Sequence, residues 1–173
     1  MIDRDEAFLV LLAQTGDREA LGRLLEGVQS RMRGYLRMLT RDAARADDLL
    51  QDVFLIAVRK LVFLRDPALF RPWLYRIATR EARRRGPPVG TPLDEVAEPA
   101  GTDALEQALI DAETRARLRA RVAELPPRSR EVIALHYFEE MPLHDVAAVL
   151  DVPVGTVKSR LAYGLSRLRQ EDQ

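Results

Sequence analysis

Hydroxyl and cationic side chains collect on one side of the segment 154–169, where their spacing suits hydrogen bonding to nucleic acid. At about 100° per residue, Val157, Leu161 and Leu165 share the opposite, apolar side. An arginine, hydroxyls and flanking cations on one helical face can reach base edges and phosphates in the major groove. The side chains concerned are Thr156, Lys158, Ser159, Arg160, Tyr163 and Arg167. A solvated amphipathic helix has the same polarity, so this segment alone leaves both interpretations open.

The residues before this segment favour the nucleic-acid interpretation. Pro142 suits the first position of a preceding helix, since its missing N–H would have no partner there. Ala147 is small where a second helix must approach closely, and Asp151 stands where the turn requires a left-handed backbone, which Asp tolerates. Two helices joined by such a turn are typical of a helix-turn-helix, whose second helix enters the DNA major groove.

A second cationic cluster lies in the segment 71–85, where six of 15 residues are arginine. A helix is predicted from Pro72 to Arg85, and one of its faces is rich in cations. The candidate nucleic-acid contacts on it are Arg76, Thr79, Arg80, Arg83 and Arg84. Cations at a helix C-terminus are also favoured by the helix dipole on a merely solvated face. Their density beside Tyr75 indicates nucleic-acid binding instead.

The segment 47–61, DDLLQDVFLIAVRKL, predicts a helix with an unusual outer face. Leu50, Val53 and Ala57 form its buried side, whereas a leucine lies among carboxylates and an amide on the other side. The outward residues are Asp48, Gln51, Asp52 and Leu55. An exposed leucine costs apolar surface unless a partner covers it, although single exposed leucines are common.

Catalytic and metal-binding patterns are absent from the sequence. There is no cysteine, so no disulfide and no thiolate zinc site is predicted. His136 and His144 stand alone, and the adjacent Asp47 and Asp48 point to different helical faces. Neither a phosphate-binding glycine loop nor an HExxH motif occurs. We therefore predict no catalytic, metal or cofactor site and no enzymatic activity.

The elements that position these side chains are predicted to be helices throughout. Apolar residues recur at steps of three and four along the chain, whereas alternating β-branched runs are lacking, so the fold class is all-α. The predicted helices cover 4–14, 17–39, 43–64, 72–85, 105–123, 128–138, 142–150 and 154–169.

Composition divides the chain into two small helical domains. The stretch GPPVGTPLDEVAEPAGTD is rich in Pro, Gly and acid and cannot supply a core. It predicts a flexible acidic linker over 86–111, between a domain at 1–85 and a second at 112–173. The net charge of zero hides this division, because residues 86–113 hold seven acidic and no basic side chains.

Location in the cell is predicted from what the sequence lacks. No run of about 18 uncharged apolar residues occurs, so no membrane span is expected. Acidic residues stand at the start of the chain, where a secretion signal would carry basic ones. The prediction is a cytoplasmic protein.

The segment 124–169 resembles region 4 of the sigma-70 family, specifically the small extracytoplasmic-function sigma factors. The resemblance depends on the run Leu125-Pro126-Pro127-Arg128, on EVIAL and on VPVGTVKSRL. The segment 47–61 is similar to sigma region 2.2, and 70–85 to regions 2.3 and 2.4. Together these likenesses cover nearly the whole chain.

The resemblance implies a subunit that directs RNA polymerase to promoters. In the family, region 2.2 docks on the β′ clamp helices, which makes Asp48, Gln51, Asp52 and Leu55 candidate polymerase contacts. Regions 2.3 and 2.4 open and hold the −10 element, while region 4 binds the β flap and reads the −35 duplex. An anti-sigma factor is implied as a further partner.

One departure from the family pattern concerns the −10 helix. The family commonly has WL…IARN…D there, whereas this chain has Arg80 at the Asn position and Arg84 at the Asp position. An unusual −10 preference is therefore expected.

The near-zero net charge predicts weak DNA binding by the free chain, because a sigma factor borrows most of its phosphate attraction from the polymerase. The alternative is an ordinary helix-turn-helix repressor or activator, which would form a two-fold dimer on a palindrome.

Overall fold

The computed structural model describes residues 4–86 and 112–170, with side chains from 5 to 86 and from 116 to 170. Every regular element in these ranges is helical, which confirms the all-α prediction. The chain divides into two compact units between Gly86 and Pro87, here called the N-terminal and C-terminal units. Apart from Gly86, the predicted linker at 86–111 lies outside the described residues, as do residues 105–111 of the fifth predicted helix.

The N-terminal unit is a bundle of four α-helices. Asp17 and Asp42 cap the second and third helices, since each carboxylate accepts backbone N–H groups of the first turn. The core is built from apolar residues at helical spacing on α2, α3 and α4, including Met32, Leu49 and Leu74. The helices are α1 (Arg4–Gln14), α2 (Arg18–Thr40), α3 (Ala43–Lys60) and α4 (Phe70–Arg85), with short 3-10 turns at Leu61–Phe63 and Pro67–Leu69.

The C-terminal unit ends in the predicted helix-turn-helix. Its helices are α5 (Ala112–Glu124), α6 (Pro127–Ile133), α7 (Leu143–Leu150) and α8 (Val154–Gln170), and a π-helical turn (Ala134–Phe138) extends α6. Buried Ile133, Val146 and Leu165 contribute to its core. The Arg130 side chain donates two hydrogen bonds to the Leu125 carbonyl, at 3.2 and 2.8 Å, and so ties the start of α6 to the end of α5.

Three boundaries differ from the predictions for local reasons. The third helix ends at Lys60 rather than 64, because the chain tightens into a 3-10 turn. The fourth begins at Phe70, ahead of Pro72, after Asp66 caps the 3-10 turn at Pro67. Pro142 precedes α7 as its N-cap instead of opening it. Within the described part of the chain, no helix is long and apolar enough to cross a membrane.

Candidate nucleic-acid interfaces

The α7–α8 pair has the turn that its sequence predicts. Asp151 adopts the left-handed conformation, with φ 60° and ψ 50°, and its N–H bonds to the Ala147 carbonyl. The N–H of Val152 reaches the same carbonyl at 3.1 Å. This double closure ends α7 and lets α8 begin at Val154. The turn thereby fixes where the first residues of α8 stand.

The six candidate residues of α8 all reach the surface of the C-terminal unit. Lys158 and Arg167 are exposed, while Thr156, Ser159, Arg160 and Tyr163 are half-buried. Val157 and Leu161 are buried on the opposite side, as the periodicity predicts. Burial thus leaves all six side chains able to meet a ligand; their contact with DNA stays a prediction.

Two further features define the chemistry of this face. Ser159 donates its hydroxyl proton to the Thr156 carbonyl at 3.0 Å, which leaves the serine oxygen as an acceptor. Among the described side chains, no carboxylate forms an ion pair with Lys158 or Arg167. Lys158 and Arg167 can therefore meet phosphates without first breaking a described ion pair.

Thr79 is not on the exposed face of α4, and this prediction was wrong. Its side chain is fully buried, and its oxygen lies 2.7 Å from the Tyr35 hydroxyl. It also donates to the Tyr75 carbonyl one turn earlier, at 2.8 Å. A helical-wheel projection of the sequence places Thr79 beside Arg76 and Arg83, but it does not reveal that α2 covers this position. Thr79 is a packing residue here and cannot contact DNA directly.

The other predicted contacts of α4 are accessible, and the end of the helix is held by carboxylates. Arg80 is exposed, while Arg76 and Arg83 are half-buried. Arg84 donates to Glu81 through Nη2 at 2.5 Å and through Nε at 3.1 Å. This hydrogen bond and the nearby charge of Glu81 raise the pKa of Arg84 above its usual value. The guanidinium therefore stays charged at every physiological pH.

The outer face of α3 carries the predicted mixture of polar and apolar residues. Asp48 and Gln51 are exposed, and the Leu55 side chain is 55% exposed. Asp52 is only half-buried and forms a 2.5 Å ion pair with Arg85 at the end of α4. One of the predicted polymerase contacts is thus joined to the arginine-rich helix.

Exposed apolar residues that were not predicted continue the α3 face. Val58 follows Leu55 by one turn and is 46% exposed, while Val62 is 61% exposed in the next 3-10 turn. Phe63 beside it is 78% exposed. Apolar residues at i+3 and i+7 from Leu55 were the available signal.

In the described ranges, no group of three or more His, Cys, Asp or Glu side chains could hold a metal ion. His136 contributes its Nδ1 to a 2.8 Å hydrogen bond with the Met141 carbonyl, so that nitrogen donates and the ring closes the π-helical turn. His144 is an exposed residue near Asp145.

Two family models match the chain, one in each unit. Residues 24–85 match Sigma-70 region 2, and residues 122–170 match Sigma-70, region 4. Together they cover more than half of the sequence. The chain belongs to the sigma-70 family.

Relatives place this sigma factor in the extracytoplasmic-function branch. It is 34% identical over 169 residues to the RNA polymerase sigma-H factor of Pseudomonas aeruginosa, covering 88% of this chain and 86% of that protein. It is 28% identical over 173 residues to the ECF RNA polymerase sigma factor SigW of Bacillus subtilis, with 90% of each chain covered.

Solved structures of sigma factors share the fold. CnrH, solved in complex with the cytosolic domain of CnrY, matches with a TM-score of 0.70 and 27% identity, covering 98% of this chain and 99% of that chain. RpoE of Bartonella quintana, solved with the anti-sigma factor NepR, gives a TM-score of 0.63 and 26% identity over 86% and 94% of the two chains.

Proposed function

We propose that this sigma factor holds two separate promoter elements at once, one with each unit, on core RNA polymerase. The domain at 1–85, in the N-terminal unit, takes the −10 element through α4, and the domain at 112–173, in the C-terminal unit, takes the −35 duplex through α8. The observation that carries this assignment is that α4 and α8 lie in different compact units and that each presents cations at its surface. Residues 86–111 act as the tether.

The two DNA faces differ as the two elements do. The α8 face follows a helix-turn-helix turn and combines Arg160 with hydroxyls, which suits base edges and phosphates of a duplex groove. The α4 face offers Arg76, Arg80 and Arg83 from a helix without such a turn, which suits the phosphates of an opened strand. Arg80 in place of the family's Asn would give the −10 preference of this protein its own character.

Core polymerase docks on the outer face of α3 in this proposal. Leu55 and the neighbouring Val58 supply apolar area, and Asp48 and Gln51 supply polar contacts beside it. An apolar centre with a polar rim is the usual composition of a protein interface. We assign this face to the β′ clamp helices and the C-terminal unit to the β flap.

Three further assignments complete the proposal. The chain is a regulatory initiation factor with no catalytic activity of its own, and it acts in the cytoplasm, where the polymerase is. A solved relative binds the anti-sigma factor NepR. We propose that an anti-sigma factor likewise holds this chain inactive.

Transcription with purified core polymerase from the source bacterium tests the proposal. The templates form a linear library with two randomised segments upstream of a fixed reporter sequence. We expect transcripts that depend on the added chain, from templates sharing two short elements at a fixed spacing. A single palindromic element bound by a dimer of the chain without polymerase would contradict the proposal and favour an ordinary helix-turn-helix regulator.

A further inference from the structure

A chain of two hydrogen bonds runs through the core of the N-terminal unit. Tyr35 on α2 and Thr79 on α4 are both fully buried, with 2.7 Å between their hydroxyl oxygens. Thr79 uses its single proton on the Tyr75 carbonyl. Its oxygen can therefore only accept from Tyr35, so the direction of both bonds is fixed.

The surroundings of this hydroxyl pair are apolar and aromatic. The Tyr35 and Tyr75 rings meet edge to face, with centroids 5.2 Å apart and planes at 71°. Buried Leu74 and Ala78 complete the inner side of α4. Apolar packing is not directional and tolerates small slips, whereas a hydrogen bond requires one distance and one angle. The hydroxyl pair is thus a directional contact between α2 and α4 within the core.

Thr79 occupies the same part of α4 as the proposed −10 contacts. Arg76 lies three residues before it, Arg80 directly after it and Arg83 four residues after it. Residues three and four apart are neighbours on a helix. A rotation or a slide of α4 that breaks the Tyr35–Thr79 bond would therefore redirect all three guanidinium groups together.

We propose that Tyr35 and Thr79 are positioning residues, which orient the α4 arginines toward promoter DNA. Their hydroxyl pair fixes the position of α4 along its axis and its rotation about that axis. The inference rests on the proposed function of α4. Phe and Val side chains could fill the same space. The hydrogen-bonded pair therefore chiefly specifies a single arrangement of the core, as fully satisfied buried polar networks do.

The test separates positioning from stability through a series of isosteric variants. Tyr35→Phe removes the donor, Thr79→Val removes the acceptor, the double variant removes both, and Thr79→Ser keeps the hydroxyl. Thr15→Val is the matched control, because it deletes an exposed threonine hydroxyl of the same unit that bonds only locally to the Leu12 carbonyl. Trp73, the single tryptophan, reports unfolding of this unit by fluorescence.

Four quantities are compared across the series with the full chain. They are the unfolding midpoint, the affinity for core polymerase, the opening rate of a promoter selected from the library, and the discrimination against single changes in its −10 element. Thr79→Val should unfold most easily, since it removes the acceptor of the hydrogen bond that the buried Tyr35 hydroxyl donates to Thr79. The double variant should regain stability, because apolar groups of similar shape replace both partners.

Promoter opening should not follow stability. We expect Tyr35→Phe and the double variant to open the promoter about five- to tenfold more slowly and to discriminate less at the −10 element. Core affinity should stay within about twofold, and Thr79→Ser and Thr15→Val should behave like the unaltered chain.

Each contrary result has one meaning. A double variant that opens and discriminates like the unaltered chain would overturn the inference alone. So would rates that merely follow the unfolding midpoint, or core affinity that falls in step with opening. An unaltered chain that gives no promoter-dependent transcripts would overturn the proposed function and this inference with it.

Discussion

The arginine-rich helix α4 of the N-terminal unit and helix α8 of the C-terminal unit differ in how their cations pair with carboxylates. On α4, Arg71 pairs with Glu6 at 2.7 Å, Arg84 with Glu81 and Arg85 with Asp52. On α8, Lys158 and Arg167 form no ion pair with a described carboxylate. The first helix keeps part of its charge inside its own unit, and the second presents Lys158 and Arg167 at its surface.

Under the proposed function, this difference indicates how each unit meets DNA. Ion pairs at the ends of α4 reduce its attraction for phosphate in the free chain, so we expect its DNA contacts to depend on polymerase bringing it to the promoter. On α8, Lys158 and Arg167 need no such release. Because the whole chain has no net charge, both contacts should nevertheless be weak without the polymerase.

The largest expected effect follows from placing a charge on the docking face of α3. Leu55→Asp should weaken binding of the chain to core polymerase about a hundredfold, since an unpaired carboxylate would be desolvated in the interface. Surface plasmon resonance on immobilised core enzyme measures the affinity. Leu11→Asp is the matched control, because Leu11 has nearly the same exposure, 50% against 55%. Equal losses of affinity in the two variants would show that the α3 face is not the docking site.

Substitutions on α8 should separate base reading from phosphate attraction. Arg160→Ala should lower transcription about tenfold or more and relax the preference at one position of the upstream element. Lys158→Ala should lower it about threefold on every template and reduce the salt slope by about one. Competition transcription on templates with single base changes, at several salt concentrations, provides both readouts. A uniform loss for both variants would exclude base reading by Arg160.

Two helical glycines, buried Gly164 and exposed Gly27, separate close packing from helix propensity. A Cβ at Gly164 would lie 2.6 Å from the δ-methyl of the buried Ile133 and 3.1 Å from the Ser129 Cβ, whereas one at Gly27 would meet nothing within 4 Å. Overpacking at Gly164 outweighs the gain in helix propensity, so Gly164→Ala should lose about 1 kcal/mol of unfolding free energy. Gly27→Ala should gain up to about 1 kcal/mol.

Urea unfolding followed by circular dichroism and by Trp73 fluorescence assigns each change to a unit. Only Gly27→Ala should move the fluorescence transition. Stabilisation by both variants would show that α8 does not pack closely on α6.

The smallest effect concerns the ion pair between α3 and α4. Asp52→Asn should change the unfolding free energy by less than about 1 kcal/mol, as partly exposed pairs usually do. By removing one of the two carboxylates near Arg85, which leaves only Glu81 at 4.0 Å, it should strengthen binding of the free chain to nonspecific DNA at low salt about twofold. Asp47→Asn is the control, because Asp47 pairs with Arg33 and Arg37 on α2 instead. Binding is measured by the fluorescence anisotropy of labelled DNA. If the anisotropy rises equally with both variants, the stronger binding reflects only the loss of one negative charge.

Helical periodicity predicted most of the fold and nearly all of the α8 face. Val157, Leu161 and Leu165 repeat with the helix and bury themselves, so the remaining residues had to face outward. The turn at Asp151 was equally predictable, since it depends on local backbone chemistry. Local information suffices where a helix has one plainly apolar side.

On α4 the same reasoning failed at one residue. Thr79 is buried because Tyr35 lies opposite it, and these partners are separated by 44 residues in the chain. A helical-wheel projection of α4 contains no information on the contact between Thr79 and Tyr35. The exposure of Val58 and Val62 is a different case, because their spacing of three and seven residues from the outward Leu55 was visible in the sequence.

Site-specific crosslinking tests most directly that the two units hold two pieces of one promoter. A photoreactive amino acid is placed at position 80 in α4 or at position 160 in α8, and holoenzyme is assembled on a promoter selected from the library. We expect position 160 to crosslink to the upstream duplex element and position 80 to the opened downstream strand. Crosslinks from both positions to a single element, or from neither to DNA, would contradict this account.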